Sequence, residues 1–276
     1  MRIGINPTSI GVSADWWLGA VRDAEAAGFS GAWIWDHFVS RGRKTDPVLE
    51  CWSMLSAASR ETTRIRLGSF VSNVMNRHPA VLARMAATVS ELSSGRLDLG
   101  IGAGGHPAEH EAYGIDFPEA DVRGIHLEEA VEVIRLLLDG GPAVHAGPRY
   151  PLREAYAYPV PDPRPRIIVA GETSAGARRA ARIGDAWTCG ADHLDRLYPV
   201  FEAAALEAGK DPASVPIVLE VKVADALEDL DALAGRWAQR SIGELVIGFV
   251  HPEQLGPLLE AAARSTVLAA AGSRQG

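Results

Sequence analysis

Short apolar runs alternate with longer stretches whose apolar residues recur at helical spacing along almost the whole chain. The runs at 2–6 (RIGIN), 31–36 (GAWIWD), 65–72 (IRLGSFVS), 97–104 (LDLGIGAG), 166–171 (RIIVAG), 185–189, 216–223 and 244–250 predict strands. Between them, the pattern predicts a helix over 14–27, closed by Gly28, and another over 47–60, with Pro47 in its first turn behind Asp46. Further helices are predicted over 79–92, 121–138, 174–183, 192–208 and 225–239, and from 252 onward. Residues 139–165 are rich in proline and glycine and predict a long excursion carrying a small hairpin.

Eight strand–helix alternations with no break in composition predict the α/β class. They favour a closed parallel (β/α)8 TIM barrel over an open doubly wound sheet. One domain is expected over 1–270, with insertions after strand four and before strand five, and a disordered tail over 271–276.

Charge narrows the functions. The balance of 27 basic against 35 acidic side chains, a net −8, disfavours a nucleic-acid partner. Cys51 and Cys189 form no metal-ligand spacing and suit a reducing compartment. The start of the chain lacks a secretory pattern, and no apolar run approaches the ~18 residues of a membrane span. A cytoplasmic protein with no membrane partner and no metal is expected.

A barrel carries its chemistry at the C-terminal ends of its strands, so the candidates are few. Asp36 and His37 end strand two as a catalytic pair, in which the carboxylate is expected to orient the imidazole. The glycine run ending at Gly104 and Gly105 matches a dinucleotide fingerprint, but it follows strand four and soon meets Pro107. Backbone clearance for a flat ligand is the better account. His106 to His110 match the HxxEH zinc motif, yet Gly114 and Pro118 leave only a short helix, read as a cap on the barrel. Gly171, Glu172, Thr173 and Ser174 precede a helix start, which is equally a phosphate cradle or an ordinary N-cap.

Together, GAWIWDHF at 31–38, DPVLECW at 46–52, the stretch from Arg64 to Gly104 with its RHP and SGR, and RIIVAG with ARRAARIGDAW resemble a known family. The chain is similar to the bacterial luciferase-like superfamily, in the subgroup that uses the deazaflavin coenzyme F420. The resemblance implies a ring system at the barrel mouth, backed by a strand-three bulge built on a non-proline cis peptide at Phe70–Val71. It implies Phe70, Val71, Ser72, Asn73 and Gly104 around the cofactor, the 171–174 loop on its phosphate, and Asp36 and His37 near the ring. Gly105 and Arg41 stand where characterised sugar-phosphate dehydrogenases of the group carry glutamate and tryptophan, which counts against a glucose-6-phosphate-type activity. His106 is then a candidate for the missing acid.

The expected function is hydride transfer between F420 and a small organic substrate. The alternatives are an FMN-dependent monooxygenase served by a reductase partner, and a non-catalytic flavin-binding barrel. The resemblance also implies a homodimer, with the helix at 79–92 either joining its interface or packing only on the side of the barrel.

Overall fold

The computed structural model describes residues 1–238 and 240–272. In chain order the elements are β1 (Arg2–Pro7), α1 (Ala14–Ala26), β2 (Gly31–Ile34), α2 (Cys51–Glu61), β3 (Arg66–Asn73), α3 (Pro79–Leu92), β4 (Leu97–Gly102), α4 (Pro107–Tyr113) and α5 (Ala120–Leu138). A hairpin, β5 (Ala143–His145) and β6 (Leu152–Ala155), follows. The alternation then resumes with β7 (Arg166–Ala170), α6 (Ser174–Ile183), β8 (Ala186–Gly190), α7 (Ala191–Glu207), β9 (Ile217–Lys222), α8 (Val223–Glu228), α9 (Leu230–Trp237), β10 (Ile242–Val250), α10 (Pro252–Arg264) and α11 (Thr266–Gly272).

Eight strands close the barrel in the order β1-β2-β3-β4-β7-β8-β9-β10, all pairings parallel, with β10 returning to β1. The predicted barrel and the hairpin excursion are both present. Alternate residues point inward and stack in layers. At the N-terminal end Asp98 lies between Arg66 and Arg166, and Glu244 takes Arg2 and the Trp33 indole. Above this ionic layer Trp33, Phe70, Ile168, Ala186, Val218 and Val246 fill the interior. Gly68 makes room for the Trp33 ring, because a Cβ there would sit 2.3 Å from it. Outward-facing strand residues pack against the helices in one large apolar core.

Three expectations are corrected. The helix predicted from Pro47 begins only at Cys51. Residues 47–49 run extended beside the loop after β1, with Leu49 N–H donating to the Ser9 carbonyl and Gly11 N–H to that of Pro47. Glu50 then caps the helix, accepting from the N–H groups of Trp52 and Ser53. The single helix predicted over 225–239 is two, because Asp229 is extended and its carboxylate caps α9 through Ala232 N–H. The expected tail also starts too early: α11 reaches Gly272, and 273–276 lie outside the described residues. No described helix is long and apolar enough to cross a membrane.

Candidate active site

The mouth of the barrel is shaped by β3. Its register against β4 slips between Ser69 and Ser72, and the Phe70–Val71 peptide is cis. The bulge leaves Phe70 nearly buried and Val71 half-buried. The glycines of β4 accommodate it. A Cβ on Gly100 would lie 2.1 Å from the Ser69 carbonyl oxygen, and one on Gly102 would lie 3.0 Å from Val71. Gly104 has φ +79° and packs on the Asn73 amide. The clearance expected for a flat ligand is therefore used by the protein itself at Gly100, Gly102 and Gly104; Gly105 alone of this run faces open space. Gly100→Ala is expected to cost about 1–3 kcal/mol through overpacking. A lowered urea midpoint at constant m-value would register it; an unchanged midpoint would mean that the bulge has slack.

Ser72 and Asn73 do not present their side chains to the mouth. Ser72 is buried and its hydroxyl accepts from the Trp52 indole at 3.2 Å. The Asn73 amide lies 2.8 Å from His110 Nε2 and accepts from Met75 N–H. Both therefore brace the strand end instead of offering side chains to a cofactor.

Asp36 is also spoken for. It is 4% exposed. Its two oxygens take Arg77 in a fork at 2.6 and 2.7 Å, and it accepts from Asn73 N–H at 3.0 Å. Its expected role as the orienting partner of His37 is not what the structure contains. The fork geometry suits a guanidinium, and the oxygen that takes Arg77 Nη1 also accepts from Asn73 N–H and the Asn76 amide.

The partner of His37 is Glu109, on α4. His37 Nδ1 lies 2.9 Å from Glu109 Oε2, and the other oxygen accepts from the N–H groups of Phe38 and Val39. Glu109 is 1% exposed. Burial pushes its carboxyl up, but the His37 hydrogen bond and the two backbone N–H groups overcome this and hold it below the usual carboxylate range. Arg41 Nη2 stands 3.4 Å from His37 Nε2. A guanidinium carries only donors, so Nε2 is the lone-pair nitrogen and Nδ1 bears the hydrogen toward Glu109. With Arg41 as donor, Nε2 is the acceptor nitrogen of His37, beside Trp35, over which Arg41 sits at 5.4 Å.

The HxxEH stretch does the positioning. α4 is the short capping helix that was expected; it buries Glu109 and His110, and His110 Nδ1 bonds the His106 carbonyl at 2.9 Å. No group of three or more metal-ligand side chains occurs among the described residues. His106 lies edge-on to His37 at 6.2 Å, and its buried Nδ1 has no partner. It is a second nitrogen at the mouth, beside open Gly105.

Across the mouth, Thr173 caps α6 by accepting from Gly176 N–H at 3.1 Å. Gly171 is buried against Gly176, while Glu172, Thr173 and Ser174 are exposed. The N-cap reading therefore holds, and the exposed first turn still turns its free N–H groups to solvent. Sequence reasoning missed Glu220, which points inward from β9. Burial first, and the negative charge of Glu172 second, push its carboxyl up to about 7.

A sequence model of the family described as luciferase-like monooxygenase matches residues 6–273. An F420-dependent glucose-6-phosphate dehydrogenase of Beutenbergia cavernae is 28% identical over 247 residues, covering 86% of this chain and 73% of that protein. A phthiodiolone/phenolphthiodiolone dimycocerosates ketoreductase of a Mycobacterium species is 34% identical over 213 residues, covering 72% of this chain and 55% of that one. Among solved structures, an F420-dependent secondary alcohol dehydrogenase holding an F420–acetone adduct superposes with a TM-score of 0.83 at 22% identity, covering 96% of this chain and all of that one.

Proposed function

The chain belongs to the luciferase-like monooxygenase family, and on that premise we propose that it is an oxidoreductase moving a hydride between coenzyme F420 and the carbinol or carbonyl carbon of a small organic substrate. The observation that carries this is the His37–Glu109 pair, with its Nε2 acceptor at the barrel mouth. An alcohol that loses a hydride must also lose its hydroxyl proton, and a carbonyl that gains a hydride must gain one. An imidazole held by a buried carboxylate can carry that proton in either direction.

The residues present fit such a cofactor. Val71 on the bulge is half-buried at the mouth, and a Cβ on Gly105 would meet nothing within 4 Å. The exposed first turn of α6, at Ser174 and Ala175, suits an anionic tail. Bound there, the deazaflavin would supply a two-electron hydride centre that does not carry single electrons. His37 takes the hydroxyl proton on Nε2 during oxidation and returns it during reduction. Glu109 stays ionised and steadies the imidazolium so formed. Arg41 must swing off Nε2 to admit substrate, and its exposed, flexible side chain allows it. Trp35 and Phe249, packed edge to face at 4.0 Å, wall the site against water.

Titrating the purified protein with oxidised F420 and, separately, with FMN, followed by fluorescence quenching, tests this. F420 is expected to bind at least about tenfold more tightly, a difference of roughly 1.4 kcal/mol. A preference for FMN would overturn the proposal in favour of the flavin monooxygenases. Binding of F420 without turnover of any alcohol or carbonyl compound would favour a lapsed cofactor-binding barrel.

A further inference from the structure

A cavity of about 510 Å³ opens at the C-terminal ends of β8, β9 and β10, between the 171–174 loop and the first turns of α7 and α10. Its inner wall is Glu220. The Glu220 side chain lies across Gly248 of the neighbouring strand, where a Cβ would come within 2.5 Å of Oε1. Only a glycine at 248 lets the carboxyl fold down there. Yet Oε1, removed from water, accepts no hydrogen bond from the protein. A buried acceptor left unmatched costs free energy, so it calls for a donor from outside the chain.

The charge around it says what kind of donor. The groups facing the cavity are Glu172 from the β7–α6 loop, Asp192 and His193 from α7, Lys222 from β9, Asp225 from α8 and His251 from the start of α10. Lys222 is the one fixed cation among them, and it is paired with Asp192 at 2.9 Å. Acidic residues in the first turns of α7 and α10, Asp192 and Glu253, offset the positive helix ends. Glu220 and Glu172 thus share a cavity without a free fixed cation, and the charge of Glu172 disfavours the ionised form of Glu220. An anion is repelled here, and a cation with N–H donors satisfies both the charge and the orphaned oxygen.

We propose that Glu220 is a specificity-determining residue that holds a protonated amine at the end of the substrate remote from the reacting carbon. The inference rests on the oxidoreductase proposed above, in which His37 serves the reacting carbon. It makes the preferred substrate an amino alcohol or amino ketone, and it excludes phosphorylated substrates.

Binding to the cofactor-free protein tests this apart from activity. With 1-amino-2-propanol as probe, calorimetric affinity is expected to be about five- to tenfold higher at pH 8 than at pH 6, because the amine binds the Glu220 carboxylate, whose midpoint lies near 7, in its ionised form. 1,2-Propanediol and glycerol 1-phosphate should bind at least tenfold more weakly than the amine at pH 8. Glu220→Gln should remove the tenfold preference and most of the pH dependence while leaving the F420 titration unchanged. His193 and His251 also face the cavity, and whatever pH dependence survives in Glu220→Gln is assigned to them and not to Glu220.

Should that variant not fold, the ¹³C carboxyl resonance of Glu220 in the wild-type protein gives the same answer. Its titration midpoint, expected near 7, should fall by at least one unit on saturation with the amine. Equal binding of diol and amine, tighter binding of the phosphate, or an unmoved midpoint would each overturn the proposal. Failure of the F420 titration alone would overturn the cofactor assignment and leave the amine site standing.

Discussion

Glu109→Gln is expected to lower kcat by about 10²–10⁴-fold, the range that a positioned acid–base group contributes, while F420 still binds. The glutamine oxygen can continue to accept from Phe38 and Val39 N–H, as Glu109 Oε1 does now. Its amide nitrogen would then face His37 Nδ1 in place of an acceptor. A donor there forces the ring hydrogen onto Nε2, so the nitrogen that faces substrate becomes a donor with no lone pair. The imidazolium formed on proton uptake also loses its counter-charge. A wrong tautomer imposed by a carboxylate-to-amide change is costly in other histidine–carboxylate pairs for this reason. His37→Asn should match the loss in kcat, and the double variant should fall no further than either single one, because the two side chains act as a unit. Full additivity of the two losses would mean that they act separately. The Glu109 carboxyl is held low in the folded protein, so its contribution to stability is present above the ordinary glutamate range. That contribution is lost as pH falls through the depressed value, so loss of activity on acidification should accompany loosening of α4.

Much of the fold was legible because local signals and the barrel agree. α3 spans Pro79–Leu92 as the pattern predicts, since Pro79 suits a first helical turn and His78 caps it. α6 starts at Ser174 because Thr173 is a local cap. The start of α2 was not legible: what keeps residues 47–49 extended is the segment around Ser9 and Gly11, some forty residues away, and periodicity carries no trace of that pairing. The candidate site divides in the same way. His37 is visible as a polar residue at the end of an apolar strand. Its partner is 72 residues further on, within a short helix readable only as a cap. Asp36, adjacent in sequence, is the obvious partner on paper, but neighbouring residues leave a strand end in different directions, and Arg77 takes it. Glu220 was invisible for another reason. In a barrel both faces of a strand are covered, so the alternation in IVLEVK does not say which face looks inward.

Asp36→Ala is expected to destabilise the protein by about 3–5 kcal/mol, the cost of stranding one member of a buried ion pair. It would leave the Arg77 guanidinium, with a side chain 12% exposed, without its two-oxygen partner. Glu50 is 3.9 Å away and already caps α2, so it makes a poor substitute. Arg77 cannot escape by losing its proton: burial works against its charge, but the Asp36 hydrogen bonds outweigh that and raise its pKa further. The Asn73 N–H and the Asn76 amide would lose their acceptor as well. At roughly 2–4 °C per kcal/mol for a chain of this size, the fall in Tm should be about 10 °C. Asp36→Asn should be nearly as damaging, because it keeps the shape but sets an NH₂ group against the guanidinium. A catalytic Asp36 would give the opposite pattern, with Tm intact and kcat lost. A structural Asp36 loses Tm while the molecules still folded at low temperature turn over within a few-fold of wild type. Arg77→Met paired with Asp36→Leu discriminates further. Removing both charges should recover much of the stability that either single change loses, since the cost lies in the unpaired charge and not in the missing attraction.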